Sequence, residues 1–270
     1  MKTRIISGAI FTVVLAVVFF LLPNIVTAIG LMALGVIASY ELLYTTGLVK
    51  NIRLNIYSAA MAALVPLWSY FGCDYSLMLL GILLYAMLLF GELLLTSGKT
   101  PVSQLAYCLL SGLIIPFFLS ALIRIRNGHN GQIMLLIPFI MAYCSDTGAY
   151  FVGVFFGKHK MCPNISPKKS WEGFIGGICV AVAAMLIFTG ILSVAADYVP
   201  NYGFVVLYGV IGALGSVFGD LMMSVIKRQT GIKDYGNLIP GHGGILDRFD
   251  SVLITAPLTE ALLLLIPMVV

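Results

Sequence analysis

The sequence has little charge. Only 10% of its 270 residues are Asp, Glu, Lys or Arg, while 60% are hydrophobic. An ordinary soluble domain has about 25% charged residues, and it must cover its outside with polar groups. This composition therefore excludes a soluble globular enzyme, a disordered protein and a nucleic-acid-binding domain. We expect lipid to be the solvent for most of the chain.

Paired cysteine motifs are missing as well. The five cysteines are scattered, and no two of them form a C-x-x-C pair. No disulfide framework or zinc site is predicted, and we interpret these cysteines as small buried hydrophobic residues. A good signal-peptide cleavage site is also lacking, because Val26-Thr27-Ala28 fits that role poorly. We therefore expect a retained first transmembrane helix.

Long apolar segments are abundant. A spanning helix needs about 20 mostly apolar residues, and it satisfies its own backbone hydrogen bonds in lipid. The segments lack the alternation that is typical of membrane β-barrels. We predict an all-α, polytopic integral membrane helical bundle with about nine transmembrane helices, forming a single membrane domain over residues 1–270. The predicted spans are residues 5–22, 25–44, 54–71, 76–95, 102–123, 133–156, 171–196, 202–223 and 251–270.

The basic residues orient these spans. Of the 15 Lys and Arg residues, Arg124 and Arg126 alone fall in loops on the side opposite the N-terminus. Cytoplasmic loops carry the Lys/Arg excess, so we predict a cytoplasmic N-terminus. The same split supports the count of nine, because one missed span would scramble the later loops.

Charged residues are concentrated in two segments. Of 15 basic and 11 acidic residues, six lie within residues 140–172 and eight within residues 220–250. We therefore divide the chain into five N-terminal helices, residues 1–131, and a half expected to carry the chemistry, residues 132–270. Its predicted cytoplasmic loops are residues 157–171 and 224–250. Glu41 and Glu92, near helix ends in the first half, are interpreted as facing the bundle or as snorkelling.

Three polar residues follow one another at helical spacing near the end of the eighth span. Asp220, Ser224 and Lys227 are spaced i, i+4 and i+7, which places them on one helical face. A membrane-embedded Asp costs roughly 2.5–3.5 kcal/mol on insertion scales, and it usually faces the bundle interior for a functional reason. A purely structural pair between Asp220 and Lys227 is the alternative.

A glycine-rich segment and two carboxylates come next. Pro240-Gly241-His242-Gly243-Gly244 predicts a tight turn whose backbone N–H groups approach an anion. Asp247 and Asp250 stand at the start of the last span, where capping of the helix is the alternative role for Asp250. Asp247 together with Asp220 could hold a divalent cation, and such hard oxygen ligands suit Mg²⁺.

The first charged segment has two parts. Ser145-Asp146-Thr147 lies inside an apolar span, where three successive polar residues indicate a cavity lining. Lys168, Lys169 and Ser170 follow just before a predicted helix start, which is a plausible grip for a polyphosphate. Positive-inside anchoring is the alternative for the two lysines.

The segment from Ser224 to Asp250 resembles the signature of the phosphatidate cytidylyltransferases, also called CDP-diacylglycerol synthases. It reads S-x-x-K-R-x4-K-D-x5-P-x-H-G-G-x2-D-R-x-D, without departure from that motif. Residues 145–150 and 166–173 also resemble family segments, whereas the first five spans match only as a hydrophobic pattern. The resemblance implies a reaction of CTP with phosphatidate that gives CDP-diacylglycerol and pyrophosphate for phospholipid biosynthesis, with Mg²⁺ as cofactor.

The resemblance and the residues together imply a set of site residues. Asp220 and Asp247 are expected to bind the metal, and the basic side chains to grip phosphate groups. The expected catalytic residues are Lys227, Arg228, Asp247, Asp220 and Ser224. The expected substrate-binding residues are Asp146, Lys168, Lys169, Ser170, Lys233, His242, Gly243, Gly244, Arg248 and Asp250.

Other functions fit the sequence less well. A transporter usually shows inverted halves, but here the polar clusters lie in the second half, and a scaffold would not need them. CDP-alcohol phosphotransferases use a D-G-x2-A-R-type pattern, which is absent, while CTP-dependent lipid kinases remain a rival. We expect CTP and phosphatidate as substrates, a lipid bilayer, no nucleic acid, and an active site facing the cytoplasm from a bacterial inner membrane. Small-residue faces permit a homodimer without requiring one.

Overall fold

The computed structural model of the protein describes residues 8, 10, 12–195, 199–238, 241 and 243–268. Helices dominate this part of the chain, which confirms the predicted all-α membrane architecture. The helices are α1 (Thr12–Leu21), α2 (Asn24–Thr45), α3 (Ile52–Phe71), α4 (Tyr75–Leu95), α5 (Val102–Asn127), α6 (Gly131–Phe156), α7 (Trp171–Ala195), α8 (Tyr202–Gln229), α9 (Leu246–Phe249) and α10 (Val252–Leu265). Two short strands, β1 (Lys160–Cys162) and β2 (Ser166–Ser170), lie between α6 and α7.

The long helices account for seven of the predicted spans. Within the described residues, the seven helices α2 to α8 are long and apolar enough to cross a membrane. The other two apolar helices, α1 and α10, are shorter than 18 residues, and the predicted first span, residues 5–22, lies partly outside the described residues. The count of nine spans and the orientation of the N-terminus therefore stay predictions.

Helix α8 extends beyond its predicted end. The predicted span stops at residue 223, whereas the helix continues to Gln229. Ser224, Lys227 and Arg228 therefore lie on its last turns and not in the loop predicted at residues 224–250. Hydropathy alone ended the span at residue 223 because basic residues end a hydropathy window, whereas the helical spacing of Asp220, Ser224 and Lys227 had indicated a helix that reaches Lys227.

The predicted loop at residues 157–171 contains a β-hairpin. Strand β1 pairs antiparallel with β2, with Lys160 opposite Ser170 and Cys162 opposite Ser166. Strands this short carry too few residues for an alternating apolar pattern, so they could not be predicted from the sequence. The hairpin leads directly into α7, where the N–H of Gly173 donates to Ser170 Oγ at 3.2 Å. Ser170 thereby caps the first turn of that helix.

The chain forms two compact units. The first unit comprises Met1–His129 and Gln229–Arg248, and the second comprises Asn130–Arg228 and Phe249–Val270. The predicted polar half, residues 132–270, therefore contributes residues to both units. In particular, the glycine-rich segment belongs to the unit of the first five helices.

In the first unit, a buried tyrosine connects three helices. Tyr85 Oη of α4 donates to the carbonyl oxygen of Cys108 in α5 at 2.7 Å and lies 2.9 Å from Ser58 Oγ in α3. Leu54 and Met61 of α3 are buried in the same apolar cluster. This core fixes the helices beside α2, whose last turn, Glu41–Thr45, is π-helical.

In the second unit, glycines bring α6 and α7 together. A Cβ on Gly148 would lie 2.6 Å from Val180 Cβ, and a Cβ on Gly177 would lie 2.8 Å from the carbonyl oxygen of Ser145. Small residues allow such close helix packing in membranes. Helix α10 joins α6 through Thr255 Oγ1, which donates to the carbonyl oxygen of Pro138 at 3.0 Å. Within this packing Ser145 of α6 is buried and Asp146 is partly buried, whereas Thr147 is exposed.

Candidate functional site

Asp220 and Lys169 form an ion pair in the second unit. Lys169 Nζ in β2 lies 2.7 Å from Asp220 Oδ2 in α8, and the two side chains are 21% and 28% exposed. One helical turn further, Ser224 Oγ donates to Asp220 Oδ1 at 3.2 Å. The predicted face of α8 is thus present, and a residue of the hairpin reaches it.

Asp146 lies between two hydroxyl donors. Ser216 Oγ in α8 donates to Asp146 Oδ1 at 3.0 Å, and Ser251 Oγ donates to Asp146 Oδ2 at 3.0 Å. The carboxylate of α6 is therefore held from α8 and from the residue that precedes α10. Asp146 was predicted as a site residue, whereas Ser216 and Ser251 were not. Only a tertiary contact reveals these two serines, because serines are common in membrane helices.

Asp250 is a carboxyl group with a perturbed proton affinity. Desolvation by the surrounding protein and the negative charge of Asp220 raise the pKa of Asp250 to about 7, and Lys227 opposes this shift. The backbone N–H of Ser251 donates to Asp250 Oδ1 at 2.8 Å. Negative charge is therefore crowded around Asp220 and Asp250, as at many functional sites.

The basic residues of the second unit differ in their surroundings. Lys227 is buried, with 8% of its surface exposed. Arg228 is exposed, and its Nε donates to the carbonyl oxygen of Ile165 at 3.0 Å, which connects α8 to the hairpin. Lys168 is exposed, whereas Ser170 is buried as the cap of α7. The hairpin therefore offers a single lysine, Lys169, to Asp220.

Asp247 organises the glycine-rich segment of the first unit. Its Oδ2 accepts the backbone N–H of Tyr235 at 2.7 Å and that of Gly244 at 3.0 Å. Gly243 has a φ of +82°, and a Cβ there would lie 2.8 Å from Asp247 Oδ2. A side chain at this position would be both strained and in collision with the carboxylate. Of the predicted turn, Gly243 and Gly244 thus lie against the Asp247 carboxylate.

The remaining predicted residues of the first unit differ in their exposure. Gly244 is buried, Arg248 is partly exposed and Lys233 is exposed. His242 and Pro240 lie outside the described residues.

Glu41 was missed as a site residue. It is 3% exposed, and its two carboxylate oxygens accept the backbone N–H groups of Ile245 at 2.9 Å and Leu246 at 3.0 Å. The interpretation as snorkelling is therefore wrong, while the alternative of facing the bundle agrees with the structure. A carboxylate in an apolar helix was the available signal, but the sequence could not show which backbone groups it binds.

The donor chemistry fits a magnesium ion. Among the described residues, no group of three or more His, Cys, Asp and Glu side chains is arranged to hold a metal. Mg²⁺, however, is usually bound by one or two carboxylates together with substrate phosphates and water. A cation would offset the negative charge that helps to raise the pKa of Asp250 beside Asp220. Asp220 thus has the hard oxygen atoms that Mg²⁺ prefers, and in this structure the Lys169 ammonium is paired with one of them.

Comparison with known proteins gives a match along almost the whole chain. The sequence profile of the Cytidylyltransferase family matches residues 2–266. A phosphatidate cytidylyltransferase of Bacillus subtilis (strain 168) is 34% identical over 279 residues, covering 98% of both chains. One from Staphylococcus haemolyticus is 32% identical over 233 residues, covering 86% of this chain and 87% of the relative. One from Haemophilus influenzae is 41% identical over 167 residues, and this match spans 59% of this chain and 57% of that relative's length.

Proposed function

The chain belongs to the cytidylyltransferase family, and from that premise we propose that it transfers the cytidylyl group of CTP to phosphatidate. The products are CDP-diacylglycerol and pyrophosphate. Membership confirms the family that the segment from Ser224 to Asp250 predicted. The observation that carries the proposal is the match to the Bacillus phosphatidate cytidylyltransferase, which covers 98% of both chains.

The reaction needs positioning more than covalent catalysis by the protein. A phosphate oxygen of phosphatidate attacks the α-phosphorus of CTP, the bond from this phosphorus to the bridging α,β-oxygen breaks, and pyrophosphate leaves with that electron pair. Both substrates are anions, so they must be held together against their repulsion. Phosphoryl-transfer enzymes achieve this chiefly by orientation and charge stabilisation.

Basic side chains supply that charge. Lys169 and Lys227 are proposed to bind phosphate groups within the second unit. Lys169 is paired with Asp220, and the positive charge of Lys227 lowers the pKa of Asp250. Arg228 connects the end of α8 to the hairpin, so it also orders Lys169. Lys233 and Arg248 are proposed to bind phosphate groups from the first unit. Exposed Lys168 is proposed to act only through its long-range charge.

The carboxylates of the motif are proposed to hold the cofactor. Asp220 and Asp247 are each proposed as Mg²⁺ ligands, and Ser224 orients Asp220 through its hydrogen bond. Bound Mg²⁺ supplies neutralisation of phosphate charge. Asp146 is held by Ser216 and Ser251 and is proposed to complete the polar surface beside Asp220.

The membrane location, the orientation and the oligomeric state of the protein are also proposals. We place the protein in a bacterial inner membrane with its active site facing the cytoplasm, which is supported by the bacterial relatives and by the one-sided distribution of Lys and Arg in the predicted loops. Glycine-lined helix faces permit a homodimer.

The products test this function. Purified protein in detergent is incubated with CTP, phosphatidate and Mg²⁺, and lipid and aqueous products are identified by mass spectrometry. We expect CDP-diacylglycerol and pyrophosphate in equal amounts, and neither without phosphatidate. Formation of CDP with a doubly phosphorylated lipid would instead indicate a lipid kinase, and unchanged substrates would contradict the proposal.

A further inference from the structure

Glu41 contacts the segment that carries a predicted metal ligand. We propose that Glu41 is a positioning residue for cytidylyl transfer: it fixes the backbone of Ile245 and Leu246 and thereby Asp247. This role rests on the proposed function, and no motif of the sequence includes Glu41. The inference depends on contacts within the first unit.

Both oxygens of Glu41 are used for this attachment. Oε1 accepts the N–H of Ile245 at 2.9 Å, and Oε2 accepts the N–H of Leu246 at 3.0 Å. These are the two residues immediately before Asp247. Hydrogen bonds from backbone N–H groups to a carboxylate are charge-assisted and about twice as strong as neutral ones. Glu41 therefore fixes the backbone from which the Asp247 side chain projects.

The segment is shaped to fit this carboxylate. A Cβ on Gly244 would lie 2.5 Å from both carboxylate oxygens of Glu41, and a Cβ on Gly236 would lie 2.7 Å from Oε1. Neither glycine has a positive φ, so close approach and not backbone conformation accounts for the lack of a side chain. Two separate points of the segment therefore pass against the same buried group.

A second contact from the same helix end supports the arrangement. Thr45 Oγ1, in the π-helical turn that begins at Glu41, donates to the carbonyl oxygen of Tyr235 at 2.5 Å. The N–H of Tyr235 in turn donates to Asp247 Oδ2 at 2.7 Å. The end of α2 thus contacts the segment before and after the glycine-rich turn. Glu41 binds the two residues immediately before Asp247, and Thr45 binds Tyr235, which is itself hydrogen-bonded to Asp247.

The chain offers a matched control for Glu41. Glu92 lies in the same unit and is also 3% exposed. Its Oε1 accepts from Asn51 Nδ2 at 2.9 Å, and Arg53 lies 3.7 Å from its Oε2. Neither contact involves the segment from Tyr235 to Phe249. A general effect of neutralising a buried carboxylate should therefore appear equally in Glu41→Gln and Glu92→Gln.

Hydrogen exchange measures the attachment without relying on activity. The full-length protein, Glu41→Gln and Glu92→Gln are compared by mass spectrometry of peptides covering residues 235–249. Gln presents one acceptor and one N–H₂ group where two acceptors are needed, so exchange at Ile245 and Leu246 should quicken about tenfold or more. Peptides of α3 and α4 should keep their rates, and Glu92→Gln should leave residues 235–249 unchanged.

Turnover then tests the link to catalysis. Glu41→Gln should lower kcat about tenfold and Glu92→Gln less than about threefold, because only Glu41 holds the backbone that bears Asp247. Wild-type exchange at residues 235–249 in Glu41→Gln would overturn the proposal. Equally faster exchange in α3 and α4 would also overturn it. So would an unchanged kcat in a Glu41→Gln protein whose residues 235–249 exchange faster. An inactive wild type would refute the proposed function alone, because the exchange result still decides whether Glu41 holds the segment.

A glycine substitution provides the second variant in case Glu41→Gln does not fold. Gly244→Ala should displace the Glu41 carboxylate and quicken exchange at Leu246. Its control is Gly91→Ala, because a Cβ on Gly91 would have no neighbour within 4 Å. Unaltered exchange in Gly244→Ala would overturn the close fit on which the proposal depends.

Discussion

Lys169 Nζ lies 2.7 Å from Asp220 Oδ2, so a lysine of the β-hairpin is paired with the first carboxylate of the α8 face. The neighbouring Lys168 is exposed. Successive residues of a strand face opposite sides, and this alternation separates two lysines that look equivalent in the sequence. The pairing selects one of them for the site.

The two lysines should therefore differ in their effect on turnover. Lys169→Ala should lower kcat/KM about 10- to 100-fold, because it removes a charge-assisted contact to a phosphate group. Lys168→Ala should change kcat/KM less than about threefold, since this side chain contributes only a screened surface charge. Steady-state kinetics at fixed salt measures both. Equally small changes would favour the alternative in which the lysines serve only as positive-inside anchors, and equally large losses would contradict a special role for Lys169.

Neutralising Asp220 should remove most activity. Asp220→Asn keeps the shape of the side chain but loses the charge that we propose for Mg²⁺ binding, and we expect at least about a 100-fold loss in kcat. The control is Asp74→Asn, which changes an exposed carboxylate before α4 without a side-chain capping bond. Full Mg²⁺-dependent turnover in Asp220→Asn would refute the metal assignment.

The raised pKa of Asp250 predicts that the stability of the protein depends on pH. Its folded-state pKa of about 7 lies above the ordinary value of 3.8, so the folded state binds the proton more tightly than the unfolded state. Its stabilising contribution is complete below about pH 4 and is lost as the pH rises towards 7. The melting temperature of metal-free protein should therefore fall over this range.

Asp250→Asn is the control for this pH effect. The variant cannot ionise at residue 250, so its melting temperature should fall less between pH 4 and 7 than that of the wild type. Thermal unfolding in detergent with a chelator measures both proteins. Parallel pH profiles would show that another group causes the dependence.

The predicted orientation can be measured with cysteine labelling. Lys233 is exposed in the segment that follows α8, and we expect it to face the cytoplasm, where CTP is available. In a background without the five native cysteines, Lys233→Cys should react with an impermeant maleimide only after the cells are opened, whereas His129→Cys should react in intact spheroplasts. The reverse labelling pattern would contradict both the orientation and a cytoplasmic active site.

Periodicity and composition predicted the membrane helices and the polar face of α8. The hydropathy of α2 to α8 is strong, and the spacing of Asp220, Ser224 and Lys227 is helical whatever the tertiary structure. Local sequence patterns were therefore enough to predict these features, and the motif that begins at Ser224 was enough to predict the family.

Tertiary contacts account for what the sequence did not show. Glu41 precedes Ile245 by 204 positions, so no local pattern connects them. The hairpin was missed because its strands are shorter than a detectable alternation. The capping of α7 by Ser170 was also missed, because a hydroxyl before a helix was interpreted only as a phosphate contact, which stays a prediction.

Transfer of the α-phosphorus of CTP to lipid is the central claim, and parallel assays with α-labelled and γ-labelled CTP test it most directly. Purified protein, phosphatidate and Mg²⁺ are incubated with each label, and radioactivity is counted in the extracted lipid. We predict that the α-label enters lipid while the γ-label appears in pyrophosphate. Radioactivity in the lipid from the γ-label, or no radioactivity in the lipid from either label, would contradict this reaction.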